Sequence, residues 1–118
     1  MSFAPENFYH LASDLYNEAR INSCEAKQRT VVSRSYYGAF LAARDASTVS
    51  AGSANVHQDV INYYFNVGGK AAVANWLKSL RRMRNDADYD LITPCTANNS
   101  GQSLKNSLSI LKNLGVLP

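Results

Sequence analysis

Cysteine is scarce in this chain of 118 residues, with Cys24 and Cys95 as the two thiols. Their number and separation exclude a disulfide framework or a cysteine-built zinc site and predict free thiols in a reducing compartment. Charge is thin as well. Asp, Glu, Lys and Arg make up 18% of the residues, without long single-sign blocks or low-complexity tracts, and the formal net charge is +3. That is too little for a DNA-wrapping protein, though it permits an RNA or nucleotide partner. There is no run of about 18 apolar residues to cross a membrane. The opening Met1-Ser2-Phe3-Ala4-Pro5-Glu6 has no basic segment followed by an apolar one, so the expectation is a cytoplasmic, soluble protein with no membrane partner. A Gly-rich phosphate loop, a paired His-Glu metal spacing and an elbow-type serine are absent too, and neither metal nor cofactor is expected. No strand-like alternation and no internal repeat is evident either.

Helical periodicity, by contrast, is plentiful. A hydrophobic content of 46% over this length predicts one globular domain, residues 1–118, with a single core. Phe8, Leu11, Ala12, Leu15 and Ala19 share one arc, which predicts a first helix from Pro5 to Arg20, with His10, Asp14 and Asn17 on the wet face. Ile21 would fall on that wet face, so the helix should end before it. Asn22-Ser23-Cys24-Glu25 reads as a capping box for the second helix, which is expected to run from Ser23 to Ser47. Val31, Tyr36, Tyr37, Ala39, Phe40, Leu41 and Ala42 nearly encircle its axis, and Gly38 would let another backbone approach. A helix apolar on most sides is surrounded, either by its own domain or by a second subunit, and this predicts a homodimer.

Asn55 with Gln58 is a second candidate capping box, opening a short helix from Val56 to Phe65 that Gly68-Gly69 breaks. Lys70 to Asp88 forms the next helix, with Val73, Trp76, Leu80, Met83 and Ala87 on its apolar arc. Pro94 and the run Thr96 to Gly101 read as a loop able to shield or admit a ligand near Arg84. Ser103 begins the last helix, and Gly115 stops it. The expected fold is all-α, an antiparallel four-helix-type bundle with the third helix broken into two.

Chemistry concentrates in Leu80-Arg81-Arg82-Met83-Arg84-Asn85-Asp86-Ala87-Asp88-Tyr89. Arg84 falls at the border of the apolar arc, where a guanidinium keeps its stem in the core and aims its donors at a carboxylate or a phosphate. The structural alternative pairs it with Asp88 at i+4, or with Asp45. His57, beside Asp59, is either a proton carrier or a capping histidine. Tyr63 and Tyr64 are either core residues or base-stacking platforms.

Ser33-Arg34-Ser35-Tyr36-Tyr37-Gly38-Ala39-Phe40-Leu41-Ala42-Ala43-Arg44, together with the later stretch from Leu80 to Tyr89, resembles the paired signatures of HEPN domains (higher eukaryotes and prokaryotes nucleotide-binding). Val56 to Phe65 also fits. The resemblance implies a symmetric dimer with motif residues facing one cleft. It also implies, for many members, a metal-independent ribonuclease of toxin–antitoxin or phage-defence systems, with an antitoxin or nucleotidyltransferase protein as partner. Arg84 and Asn85 match the family's arginine and the polar residue after it. The family's histidine is missing, because Tyr89, Asp90 and Leu91 occupy its positions. Phenols titrate near about 10 and carboxylates near about 4, so neither replaces imidazole as a proton carrier at neutral pH.

The residues and the resemblance together leave three readings. The first is an RNA- or nucleotide-binding dimer with weak or no cleavage, using Arg84 and Asn85 with Arg81, Arg34 and Asp88. The second is an active ribonuclease in which His57 or another group, Tyr89 among them, supplies the missing function. The third is an interaction module with Arg84 as internal structure.

Overall fold

A computed structural model describes residues 3–22 and 24–118, without the side chains of residues 20–22. It is an all-α bundle of five helices: α1 (Glu6–Asn22), α2 (Glu25–Asp45), α3 (Val56–Asn66), α4 (Ala71–Tyr89) and α5 (Ala97–Asn113). The expected break in the third helix separates α3 from α4, and Gly69 makes it with a φ of 78°, a left-handed conformation that side chains disfavour. None of the described helices is long and apolar enough to cross a membrane.

Helix α2 packs against all four others. Its buried residues run from Gln28 and Val31 through Tyr36, Ala39 and Phe40 to Ala43, covering most of its circumference. The encirclement that predicted a second subunit is therefore met by the chain's own helices. Gly38 serves α1: a Cβ there would lie 3.0 Å from the Tyr9 backbone nitrogen and 3.4 Å from both Phe8 Cβ and the Pro5 carbonyl. Tyr36, Phe40, Val60, Ile61, Tyr64, Leu77, Leu80 and Ile110 join in the core, each large side chain contributing roughly 1.5–3 kcal/mol by burial. The α2–α5 seam is lined by small polar residues. Ser107 donates to the Ser35 carbonyl at 2.8 Å, and Ser100 bonds the Gln28 side chain.

Several expected boundaries differ. Helix α1 continues through Ile21 to Asn22, so Asn22 ends one helix instead of capping the next. Ser23 lies outside the described residues, and Cys24, which precedes α2, makes no side-chain cap bond. Asn55 does not cap α3 with its side chain either. There Ser53 Oγ bonds the Asp59 carboxylate, and Gln58 turns along the helix to Asn62. Helix α5 starts six residues before Ser103, at Ala97. Thr96 accepts from the Asn99 N–H while Asn99 Oδ1 accepts from the Thr96 N–H, a capping box that turns the expected loop into a helical turn. Leu11, expected in the apolar arc, is 48% exposed, while Ala12 and Ala19 are buried.

One long-range tie was not legible in the sequence. Arg29 of α2 reaches the C-terminal end of α4, donating from Nη1 to the carbonyls of Ala87 (2.8 Å) and Asp90 (2.7 Å) and from Nη2 to that of Thr93 (3.0 Å). Glu25 holds the same guanidinium from the other side at 2.9 Å. Helix α4 has no basic residue in its last turn, so α2 supplies the cation that its negative dipole end favours.

Replacing Arg29 by Met should cost about 1 kcal/mol, because two part-buried carbonyls and one exposed carbonyl lose a charged donor. Gly38→Val should cost about 1–3 kcal/mol by forcing α1 away. In Gly38→Ala, a helix-propensity gain of about 1 kcal/mol offsets the milder crowding and leaves stability near wild type. Urea unfolding of the three variants measures all of these.

Candidate anion site at the junction of three helices

Consecutive residues on a helix point about 100° apart, and the tyrosine pair of α2 uses that angle to serve two partners. Tyr36 turns into the core, 1% exposed, and its hydroxyl lies 2.5 Å from Nδ1 of His57 on α3. The His57 ring stacks on Phe40, with centroids 4.3 Å apart, and meets the Tyr37 ring edge-on at 6.3 Å. Tyr37 turns outward, and its hydroxyl accepts a hydrogen bond from Arg84 Nη2 at 2.9 Å.

Arg84 has further partners on its own helix. Nη1 donates to Asn85 Oδ1 at 3.0 Å, and Nε lies 2.9 Å from Asp88 Oδ2. The Nε–H is not aligned with that carboxylate, so the contact is an ion pair with no hydrogen bond, and Nε is a buried donor with no acceptor. Of the two expected carboxylates, Asp88 is the partner and Asp45 is not. A guanidinium has five N–H donors. With Nη1 and Nη2 each making one bond, each terminal nitrogen keeps one more N–H to offer.

Other predicted residues gather around this guanidinium. Arg34 lies with its guanidinium carbon 5.2 Å from the Phe8 ring centroid and 5.4 Å from that of Tyr37, while Arg84 lies 5.2 Å from Tyr37. Two cations thus flank one aromatic ring. Arg81 donates to Gln58 on α3 at 3.3 Å. Tyr89, 72% exposed, has its ring 5.7 Å from Arg84. Arg34, His57, Arg81, Arg84, Asn85, Asp88 and Tyr89 therefore share one surface.

Other candidates fall elsewhere. His10 is on the solvent face. Tyr64 is core, donating to the Ala43 carbonyl at 2.7 Å with its phenol pushed up to about 12 by burial. The Thr93–Cys95 segment borders a cavity of about 100 Å³ whose lining includes Met83, Asp86, Asp90 and Asn99 but not Arg84. The Thr93–Cys95 segment thus closes over a hollow that Arg84 does not line, and the Arg84 side chain is partly exposed. Both cysteines are free.

His57 is the residue whose chemistry the fold changes most. Burial lowers its pKa below the usual histidine value, and the positive charges of Arg81, Arg84 and Arg44 lower it further. Burial raises the Tyr36 phenol well above its ordinary value, so both partners are neutral at pH 7.

No family model matches the chain, and no solved structure matches it. Among curated proteins, the chain is similar to an uncharacterized protein of Methanocaldococcus jannaschii, 31% identical over 111 residues, a match covering 78% of this chain. The match spans 66% of that protein's length.

A histidine with a depressed folded-state pKa binds its proton more readily when unfolded, so its contribution to stability is fully present above about pH 6.5 and is lost as pH falls through that value towards the folded one. The thermal midpoint should fall on going from about pH 7.5 to about pH 5.5. His57→Gln should show a shallower fall over that window, measured by circular dichroism in matched buffers.

Proposed function

We propose that this protein is a HEPN-like homodimer that binds RNA or a nucleotide through Arg84, with weak or no nuclease activity, in a toxin–antitoxin or phage-defence setting. The observation that carries this reading is the charge balance near Tyr37. Arg34 and Arg84 both lie against that ring and Arg81 lies three residues before Arg84 on α4; among the described residues Arg84 alone of the three has an ion-pair partner, Asp88, and each of its terminal nitrogens makes one hydrogen bond and keeps a second N–H. A phosphate oxygen is the natural acceptor for such donors. Asn85 and Asp88 act as positioning residues, because both hold the guanidinium and neither suits an anion.

A purely structural Arg84 is weaker on energetic grounds. A partly exposed i,i+4 ion pair contributes only about 0.3–0.5 kcal/mol, which a charged ligand readily outcompetes. The dimer rests on the family resemblance, since α2 is covered within the chain. The exposed Tyr89, Leu91 and Ile92 support a partner on this side of the molecule. A cleaving enzyme with His57 as proton carrier is the second reading, favoured by the proximity of that ring to Tyr37 and Arg84.

Arg84→Ala should weaken binding of single-stranded RNA or nucleotides at least about tenfold and flatten its salt dependence, as expected when a phosphate contact is lost. Its fold should persist by circular dichroism. Fluorescence anisotropy measures the affinity, and equal affinity for wild type and variant would end this reading. Labelled RNA incubated with EDTA should remain uncut beyond the Arg84→Ala control.

A further inference from the structure

His57 looks like a replacement for the family's missing proton carrier, but its hydrogen bonding gives it another task. The Tyr36 side chain is 1% exposed, and among the described residues the one hydrogen-bond partner of its hydroxyl is His57 Nδ1. If Nδ1 carried a proton and donated it to the phenol oxygen, the phenol's own proton would be buried with no acceptor among the described residues, which is unfavourable. The phenol therefore donates, Nδ1 accepts, and the imidazole proton resides on Nε2.

We propose that His57 is a fixed neutral donor, locked by Tyr36 in the Nε2–H form, that binds a phosphodiester oxygen at the Arg84 surface and does not exchange protons. This rests on the anion reading of Arg84. The one lone pair of the neutral ring is taken by Tyr36, so no basic nitrogen is left to accept a 2′-hydroxyl proton. The imidazolium form would strand the phenol proton. The groups facing the ring discourage that form as well: Tyr36, Tyr37 and Phe40 on α2 surround it, and Arg44 on α2 with Arg81 and Arg84 on α4 repel a second positive charge. His57 is thus a binding residue of a site that holds a phosphodiester and leaves it intact.

Nitrogen-15 NMR of the ligand-free protein reads the tautomer directly. At pH 7 His57 should be protonated on Nε2 alone, and Tyr36→Phe should mix the two tautomers. A wild-type ring protonated on Nδ1, or on both nitrogens, overturns the proposal.

Binding is then measured with a uridine tetranucleotide lacking terminal phosphates, whose phosphodiesters do not titrate near neutrality. His57→Ala should bind about tenfold more weakly, since a hydrogen bond to a charged acceptor is lost. His57→Gln, which keeps an amide N–H, should stay within about threefold of wild type. Wild-type affinity should change little between about pH 6.5 and pH 8. Full affinity in His57→Ala overturns the proposal, as does a tightening of about tenfold towards pH 6 that His57→Gln abolishes. A wild-type protein that binds no tetranucleotide overturns the anion reading of Arg84 and with it the ligand role of His57. The tautomer, read without ligand, tells the two failures apart.

Discussion

The burial of α2 on most of its sides is the constraint on which the other features of the molecule depend. A central helix must present small residues wherever a neighbour crosses closely, which is why Gly38 meets the start of α1 and why serines line the seam with α5. It must also find partners for most of the polar groups it takes inside, and among the described residues the Ser35 hydroxyl is the α2 side-chain group left without one. The Tyr36 hydroxyl finds His57, Gln28 finds Ser100, and Arg29 escapes along its own length to the end of α4. Each of these ties fixes a neighbouring helix in both rotation and height, so one buried helix sets the placement of α3 and α4 against each other.

That placement makes the cationic surface. Arg84 could not reach α2 unless α4 were held at the height that Arg29 imposes on its C-terminal turn, and Tyr37 meets it there with a hydroxyl that accepts. The guanidinium is oriented by three weak, partly exposed contacts. Such contacts fix geometry at little energetic depth, so the guanidinium is oriented beforehand by contacts that a charged ligand could replace at small cost. This is the arrangement expected of a binding site, where ordering the side chain beforehand reduces the cost of association.

Much of the architecture was legible in the residues because it depends on local periodicity. The five helical segments, the Gly68-Gly69 break and the closeness of Arg81 to Arg84 all arise from spacing along the chain, whereas the approach of Arg34 to the same ring is a contact between helices. What stayed hidden depends on contacts far apart in the chain. The run Thr96-Ala97-Asn98-Asn99-Ser100-Gly101 has loop composition, yet Thr96 and Asn99 cap a helix, and Gly101 is suited to it because the Tyr16 ring lies against the same spot. Leu11 is apolar but lies half exposed on α1. The encirclement of α2 was visible, while its surroundings were not, since an apolar circumference does not say whose helices cover it. Arg29 gave no signal at all, because a cation capping another helix has no fixed sequence spacing from it.

The surface also carries an internal tension that decides its chemistry. The positive charges that would attract a phosphodiester are among those that keep His57 neutral. A bound anion would cancel much of that repulsion and so favour protonation of the ring, which is the coupling a cleaving enzyme would exploit. Burial, however, is the largest single cause of the depressed pKa, and a ligand seated over the ring would exclude more water rather than less. The buried phenol also still needs an acceptor for its proton. Relief of repulsion would therefore be opposed by deeper burial and by the need of the Tyr36 phenol for an acceptor, and both of these favour the neutral imidazole.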